Sequence, residues 1–312
     1  MKIGLDIMGG DFAPQATVLG AIEAQKTLPE GQQLVLIGDK DVAFSILREH
    51  SYSADHFEFV HTTEVIEMGE HPAKAVIKKA DSSISVGFQL LKEGKIDAFS
   101  SAGNTGAMLV GSVLSVKTIE GVLRPAMSTN VPKLSGGFGL LLDVGANADC
   151  KPEYLLQFAI LGSIFAEAVY GMGNPRISLL NIGEEEEKGN ALCQAAYPMM
   201  KESGKFNFVG NIEGRDLFSD IADVYVADGF TGNVALKMAE SFYVISLKKR
   251  INDEFFARFN YEQYGGSPIL GINAPVVVGH GISSPEAIKN MVLLSRDMAA
   301  SGLVDQIKSA FQ

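Results

Sequence analysis

Short apolar runs alternate along this chain with longer stretches in which apolar positions recur every three or four residues. Lys2–Asp6 predicts a strand ending in a Met-Gly-Gly-Asp turn, and Gln15–Thr27 a helix. Leu34–Ile37 reads as a buried strand closed by Gly38 and Asp39, and Val42–Glu49 as a helix. Phe57–Val60 predicts a strand, and Pro72–Lys79 a helix with proline in its first turn. Ser82–Lys92 is helical, Ile96–Ser100 a strand and Thr105–Ser115 a helix. Gly139–Val144 is apolar on both faces, as central parallel strands are. The rest reads as helix Pro152–Tyr170, strand Ile177–Ile182, helix Lys188–Glu202, strand Val224–Ala227, helix Gly232–Arg250, strand Val276–Val278 and helix Pro285–Ala300.

Strand, glycine turn and helix in repeated order predict α/β architecture: a three-layer α/β/α sandwich around a mostly parallel sheet. With no low-complexity linker and no repeat, residues 1–312 read as a single domain, with a two-lobed variant as the alternative. A helical segment at about 238–265 is expected to protrude. Ligands of such sheets sit beyond the carboxyl ends of the strands, so the loops after each strand are the ones to search.

Composition narrows the function. With 26 basic and 37 acidic side chains the formal charge is −11, which disfavours a general nucleic-acid binder. Local basic patches for an anionic ligand or partner are still compatible with it. Two cysteines, Cys150 and Cys193, suit a reducing cytosol rather than a disulfide scaffold. The opening MKIGLDIMGGDF lacks the apolar run of a signal peptide, and no stretch is apolar enough to span a membrane.

Two glycine turns carry the first chemistry. Ser101-Ala102-Gly103-Asn104-Thr105-Gly106 links a strand to a helix start, where backbone N–H groups and the helix dipole favour an anion. Plain helix capping and close packing are the alternative. Asp228-Gly229-Phe230-Thr231-Gly232-Asn233 repeats the pattern, with Asn233 and Lys237 on one helix face. Either these turns are two walls of one cleft or two independent capped helices. Glu184–Glu187 are consecutive acids at an expected helix start, which the dipole favours; they point in different directions and make a poor metal site. Lys188, four residues after Glu184, pairs with it on the surface or meets phosphate. Arg124 before Pro125, and Arg215 in a glycine loop, are candidate oxyanion ligands or simply solvated. His280 between glycines at a strand end is a candidate acid–base group. No His-x-x-x-His or Cys-x-x-Cys motif occurs, which speaks against a zinc site, and the absence of Gly-x-Ser-x-Gly weakens an α/β-hydrolase reading; no metal and no cofactor are expected. Lys248, Lys249 and Arg250 precede Phe255, Phe256, Phe259 and Tyr261. That segment reads either as core or dimer interface, or as a contact with an anionic membrane or acidic protein.

The strings DIMGGDFAP (6–14), SAGNTGA (101–107), LLDVGAN (141–147), GNIEGRDL (210–217), DGFTGNVALK (228–237) and YGGSPILG (264–271), with Leu179–Asn190, resemble the bacterial phosphate:acyl-carrier-protein acyltransferase (PlsX) family of phospholipid synthesis. The similarity runs from residue 6 to about 284. Departures are Ile7, where the family usually has alanine, and Ile282 within a usual HGSS-like string. The resemblance implies transfer of a long-chain acyl group from acyl carrier protein to inorganic phosphate, giving acyl-phosphate. It also implies a homodimer, a fold similar to isocitrate and isopropylmalate dehydrogenases and phosphotransacetylases, and a cytoplasmic protein peripherally bound to the inner membrane face. The downstream partner would be a membrane glycerol-phosphate acyltransferase. On this reading a phosphate oxygen attacks the thioester directly. Backbone N–H groups with Asn104 or Asn233 stabilise the oxyanion, and Arg124, Lys188 or Arg215 hold phosphate. His280 or Asp228 handles the proton, Asp11 orients a base, and Ser101, Thr105, Gly106, Thr231 and Lys237 line the substrate. A cysteine-bound acyl intermediate is the minor alternative. Rival functions are a metal-dependent hydroxyacid dehydrogenase of the same fold and a non-catalytic carrier-binding scaffold. The first lacks a Gly-x-Gly-x-x-Gly fingerprint here.

Overall fold

The computed structural model describes residues 1–312, except that the Tyr261 side chain lies outside the described residues, and with it that ring of the expected membrane segment. In chain order the elements are β1 (Lys2–Asp6), α1 (Gln15–Gln25), β2 (Gln33–Gly38), α2 (Lys40–Glu49), β3 (Glu58–His61), α3 (Pro72–Lys78), α4 (Ser83–Lys92), β4 (Ala98–Ser101) and α5 (Thr105–Ser115). Then come β5 (Ala126–Pro132), β6 (Phe138–Leu142), α6 (Pro152–Tyr170), β7 (Arg176–Asn181), α7 (Ala191–Glu202), β8 (Asn207–Glu213), β9 (Val224–Val226), α8 (Gly229–Lys249) and α9 (Glu254–Ala257). β10 (Ser267–Leu270), β11 (Val276–Val278), α10 (Pro285–Ala300) and α11 (Leu303–Phe311) complete the chain. The fold is α/β, mostly parallel, with helices on both sides of the sheet, as the alternation predicts.

The chain divides into two compact units: Met1–Thr118 with Glu262–Ser301, and Ile119–Tyr261 with Gly302–Gln312. In the first unit the strand order is β3-β2-β1-β4-β11-β10, all parallel except the β10–β11 pair. β2 is buried on both faces, which is why Leu34–Ile37 is apolar without alternation. Phe88 and Phe99 meet edge to face at 5.1 Å, both fully buried. Burying each ring is worth about 1.5–3 kcal/mol.

In the second unit the order is β5-β6-β9-β7-β8, with β5 antiparallel to β6 and the rest parallel. Phe158, Phe165 and Tyr225 are its largest fully buried side chains. Beneath β9, Asp223 joins Lys133 Nζ at 2.6 Å and Arg176 Nε at 3.0 Å, and it also accepts the Arg176 backbone N–H. Burial works against the charged carboxylate, but the hydrogen bonds from Arg176 and Lys133 outweigh it and hold Asp223 far below the usual carboxylate range.

Three expectations change. Residues 182–190 are a loop, and α7 starts at Ala191, capped by Asn190. The glutamate run therefore does not open a helix, and Glu184 and Lys188 are not an i, i+4 helical pair. Glu186 instead pairs with Lys201. α8 begins three residues before Gly232, because Asp228 supplies the cap.

Candidate active site

In the first unit β1, β4 and β11 run parallel and end side by side. Their loops pack backbone against backbone. Asp11 N donates to Gly281 O at 2.6 Å, and Gly279 N to Ser101 O at 2.8 Å. Gly9 has no room for a side chain: a Cβ there would lie 2.5 Å from Asp6 Oδ2 and 2.7 Å from Gly103 N. Beneath these loops lies Asp6, which accepts from Ser101 Oγ at 2.6 Å and Met8 N at 2.9 Å. Burial pushes its carboxyl above the ordinary range, against hydrogen bonds from Ser101, Ser83, Met8 and Gly9.

This cluster gathers Asp11, Ser101, Asn104, Thr105, Gly106 and His280. Ser101 spends its hydroxyl on Asp6 and on Gly103 N. Asn104 caps α5 by accepting from Ala107 N, and its amide donates to the carbonyls of Glu67, Met68 and Glu70, each at 3.1 Å. Both side chains thus shape the loop from within, and Asn104 acts as a tether. Thr105 is exposed in the first turn of α5, and a Cβ on Gly106 would collide with Pro72. At this helix start the Thr105 and Gly106 amides precede the first intrahelical bond, so they are the donors offered outward. His280 is half-buried, and its carbonyl accepts from Ser283 Oγ at 2.6 Å.

In the second unit β6, β9 and β7 end side by side. The loop after β6 wraps around Asp143, a fully buried carboxylate. It accepts from Met127 N at 3.0 Å, Ala146 N at 3.1 Å, Asn147 N at 2.7 Å and Asn147 Nδ2 at 2.9 Å. Burial raises its pKa and these donors lower it, with burial ahead. The start of α8 leans on this loop. Gly229 N donates to Asn147 O at 2.7 Å, Asn233 Nδ2 to Val144 O at 2.8 Å, and a Cβ on Gly232 would collide with the Asp143 carbonyl. Asp228 caps α8, accepting from Thr231 N at 2.9 Å and Thr231 Oγ1 at 2.7 Å.

Asp228, Thr231 and Asn233 are therefore brought together. Arg124 is exposed beside Pro125, whose carbonyl accepts from Asn147 Nδ2 at 2.8 Å. Lys188 is exposed on the loop after β7. Lys237 turns to Glu240 at 2.8 Å, and Arg215, 72% exposed, pairs with Glu213 at 2.8 Å. Neither of these two is drawn into the Asp143 loop. Asp6, Asp143 and Asn147 escaped the sequence reading. Their one visible signal is an acid closing a buried run, as in KIGLD and LLDVGAN.

Both thiols are poor nucleophiles. Burial pushes Cys150 up to about 11 and, with the Asp228 charge, raises Cys193 as well. A Cys150→Ala/Cys193→Ala variant should keep most of its acyl transfer; loss of turnover in a folded double variant would restore the covalent route.

The aromatic segment needs a correction. Phe259 is only 5% exposed and stacks edge to face with Phe218 at 5.1 Å, Phe242 at 5.4 Å and Phe255 at 5.0 Å. Its ring belongs to an internal cluster and does not face outward. Arg258 ties the segment down through the carbonyls of Lys133 and Gly137. Phe255 and Phe256 are half-buried. Lys248, Lys249 and Arg250 are exposed at the end of α8, beside exposed Leu247 and Ile251. Among the described residues no helix is long and apolar enough to cross a membrane.

Fold and loop geometry together define an α/β protein with polar turns at its strand ends. Solved structures with this fold include a phosphotransacetylase from Streptococcus pyogenes, at TM-score 0.72 and 16% identity, covering 96% of this chain and 94% of that one. A 4-hydroxythreonine-4-phosphate dehydrogenase from Burkholderia phymatum matches at TM-score 0.50 and 16% identity, covering 98% and 97%. Residues 1–255 match the family model described as fatty acid synthesis protein, and the chain belongs to that family. A curated relative from Dictyoglomus turgidum named phosphate acyltransferase is 45% identical, over 96% of this chain and 94% of its own. Another of that name, from Heliobacterium modesticaldum, is 45% identical over 99% and 97%. The protein is an acyltransferase, as the resemblance in its motifs implies.

Proposed function

We propose that this enzyme transfers a long-chain fatty acyl group from acyl carrier protein to inorganic phosphate, giving acyl-phosphate for phospholipid synthesis. The observation that carries this is the whole-length similarity to relatives named phosphate acyltransferase. In the reaction a phosphate oxygen forms a bond to the thioester carbonyl carbon, and the carbon–sulfur bond breaks. The proton of hydrogen phosphate ends on the carrier thiol, so charge and atoms balance without a cofactor. We assign the phosphate to the start of α8. Helix N-termini favour anions, Arg124 supplies a bidentate cation, and Asn233 has a second amide hydrogen beyond the one given to Val144. Asp228 is the candidate for passing the proton, and Lys188 is a further phosphate ligand.

The test is direct. Purified enzyme with acyl carrier protein thioester should release carrier thiol only when phosphate is added, and hydroxylamine should trap the acyl product. Thiol release that ignores phosphate would make the protein a thioesterase and end this reading. Tight carrier binding without turnover would favour the scaffold, and a NAD-dependent absorbance change the dehydrogenase.

The same reading includes a cytoplasmic homodimer resting on the inner membrane face, where a glycerol-phosphate acyltransferase consumes the product. We assign the membrane contact to the end of α8. Each of Lys248, Lys249 and Arg250 would contribute about 1 kcal/mol at an anionic surface. Leu247→Ser with Ile251→Ser should abolish co-sedimentation with anionic vesicles and spare turnover. Unchanged sedimentation would move the contact elsewhere.

A further inference from the structure

We propose that Asp143, acting through Asn147, is a positioning residue that holds Arg124 and Asn233 in the one arrangement phosphate requires. The inference rests on the assignment of phosphate to the start of α8.

The geometry is that of a hub. Four donors converge on one carboxylate, from three places: Met127 at the start of β5, the backbone of Ala146 and Asn147, and the Asn147 side chain. Asn147 then reaches outward in two directions. Its Nδ2 also donates to Pro125 O at 2.8 Å, fixing the Pro125–Ala126 peptide one residue beyond Arg124. Its carbonyl accepts from Gly229 N at 2.7 Å, fixing the first residue of α8. Val144, between Asp143 and this turn, accepts from Asn233 Nδ2 at 2.8 Å. The approach is closed sterically as well, since a Cβ on Gly229 would lie 2.8 Å from Asp143 Oδ2. An arginine in an exposed loop and an asparagine in the second turn of α8 thereby share one reference. Asp143 itself is fully buried and acts by holding other groups in place. A fully buried carboxylate is costly unless its acceptor sites are filled, and here they are filled by the groups that need placing.

The experiment is a double-mutant cycle on phosphate kinetics. Asn147→Ala removes the Nδ2 links to Asp143 and Pro125 and keeps the backbone ones. Its KM for phosphate should rise about tenfold, while the KM for the acyl donor stays near that of the parent enzyme. In an Arg124→Ala background the same change should cost almost nothing further, because the residue it positions is gone. A role in general stability would instead lower the melting temperature and leave the two changes additive; additive effects on phosphate KM overturn the proposal. So does an unchanged phosphate KM in Asn147→Ala. If Asn147→Ala does not fold, Asn147→Ser keeps one donor and carries the same cycle. Normal phosphate KM in Arg124→Ala alone is a different failure: it removes Arg124 as a phosphate ligand and takes down the assignment on which the inference rests.

Discussion

Gly232→Ala should destabilise the second unit by about 3 kcal/mol and cut phosphate-dependent turnover by roughly a hundredfold. The glycine sits in the first turn of α8 with the Asp143 carbonyl where a Cβ would go. The obstacle is backbone, so no side chain can swing aside, and the helix start must move. Moving it shifts Asp228, Thr231 and Asn233 together, and displacements of about 1 Å are enough to cost two orders of magnitude in rate. Urea unfolding read alongside kcat/KM checks both halves. A variant with the parent's unfolding midpoint and turnover would mean that α8 does not start where the Asp143 loop puts it.

Asp223→Asn should lower stability at pH 7 by about 2 kcal/mol. Lys133, 8% exposed, and Arg176 lose their counter-charge, and breaking a buried pair from one side costs more than the pair contributes. The fifth of the carboxylate that reaches solvent keeps the figure at the low end. The pH signature follows from the sign of the shift. Asp223 is depressed in the folded state, so its contribution is fully present above the unfolded carboxylate value near 3.8 and is lost as pH falls through the lower folded value. The parent should therefore lose stability below about pH 4, and Asp223→Asn should show a flatter acid limb. Asp6 and Asp143 are raised and act with the opposite sign, relieving a cost as they protonate. The difference between parent and variant isolates Asp223 from both. Identical acid limbs would refute the assignment.

Legibility in the sequence followed burial. Strands flanked by helices on both faces announce themselves: β2, β6 and β9 are near-continuous apolar runs. α6 was readable to both ends, because Pro152 opens it and Gly171, in a left-handed conformation, closes it. β5, β8 and β10 were not. β5 reads AMSTNVP, with polar positions and a proline that suit its antiparallel pairing to β6 but obscure any pattern. β8 is bulged against β7 and carries Gly210, and β10 has only four residues. At the site, the polar turns stood out because glycine and asparagine mark them locally. Asp6 and Asp143 did not, since a carboxylate closing a strand looks the same whether water or backbone amides await it. The choice between core and contact for Phe259 was hidden for a related reason: Phe218 and Phe242, which hold its ring inside, lie far from it in sequence.

α8 is one unbroken helix of 21 residues with no proline, anchored at Asp228 and ending at Lys249. At about 1.5 Å per residue it spans roughly 30 Å. It is therefore a ruler. Whatever grips the basic end stands some 30 Å from the turn that Asp228 caps, and the standoff cannot shorten unless the helix bends. Straight helices seldom bend without proline or an inserted residue. On the proposed assignments, an acyl product made at one end and needed at the other has to cover that distance as a released molecule or along the surface of the protein.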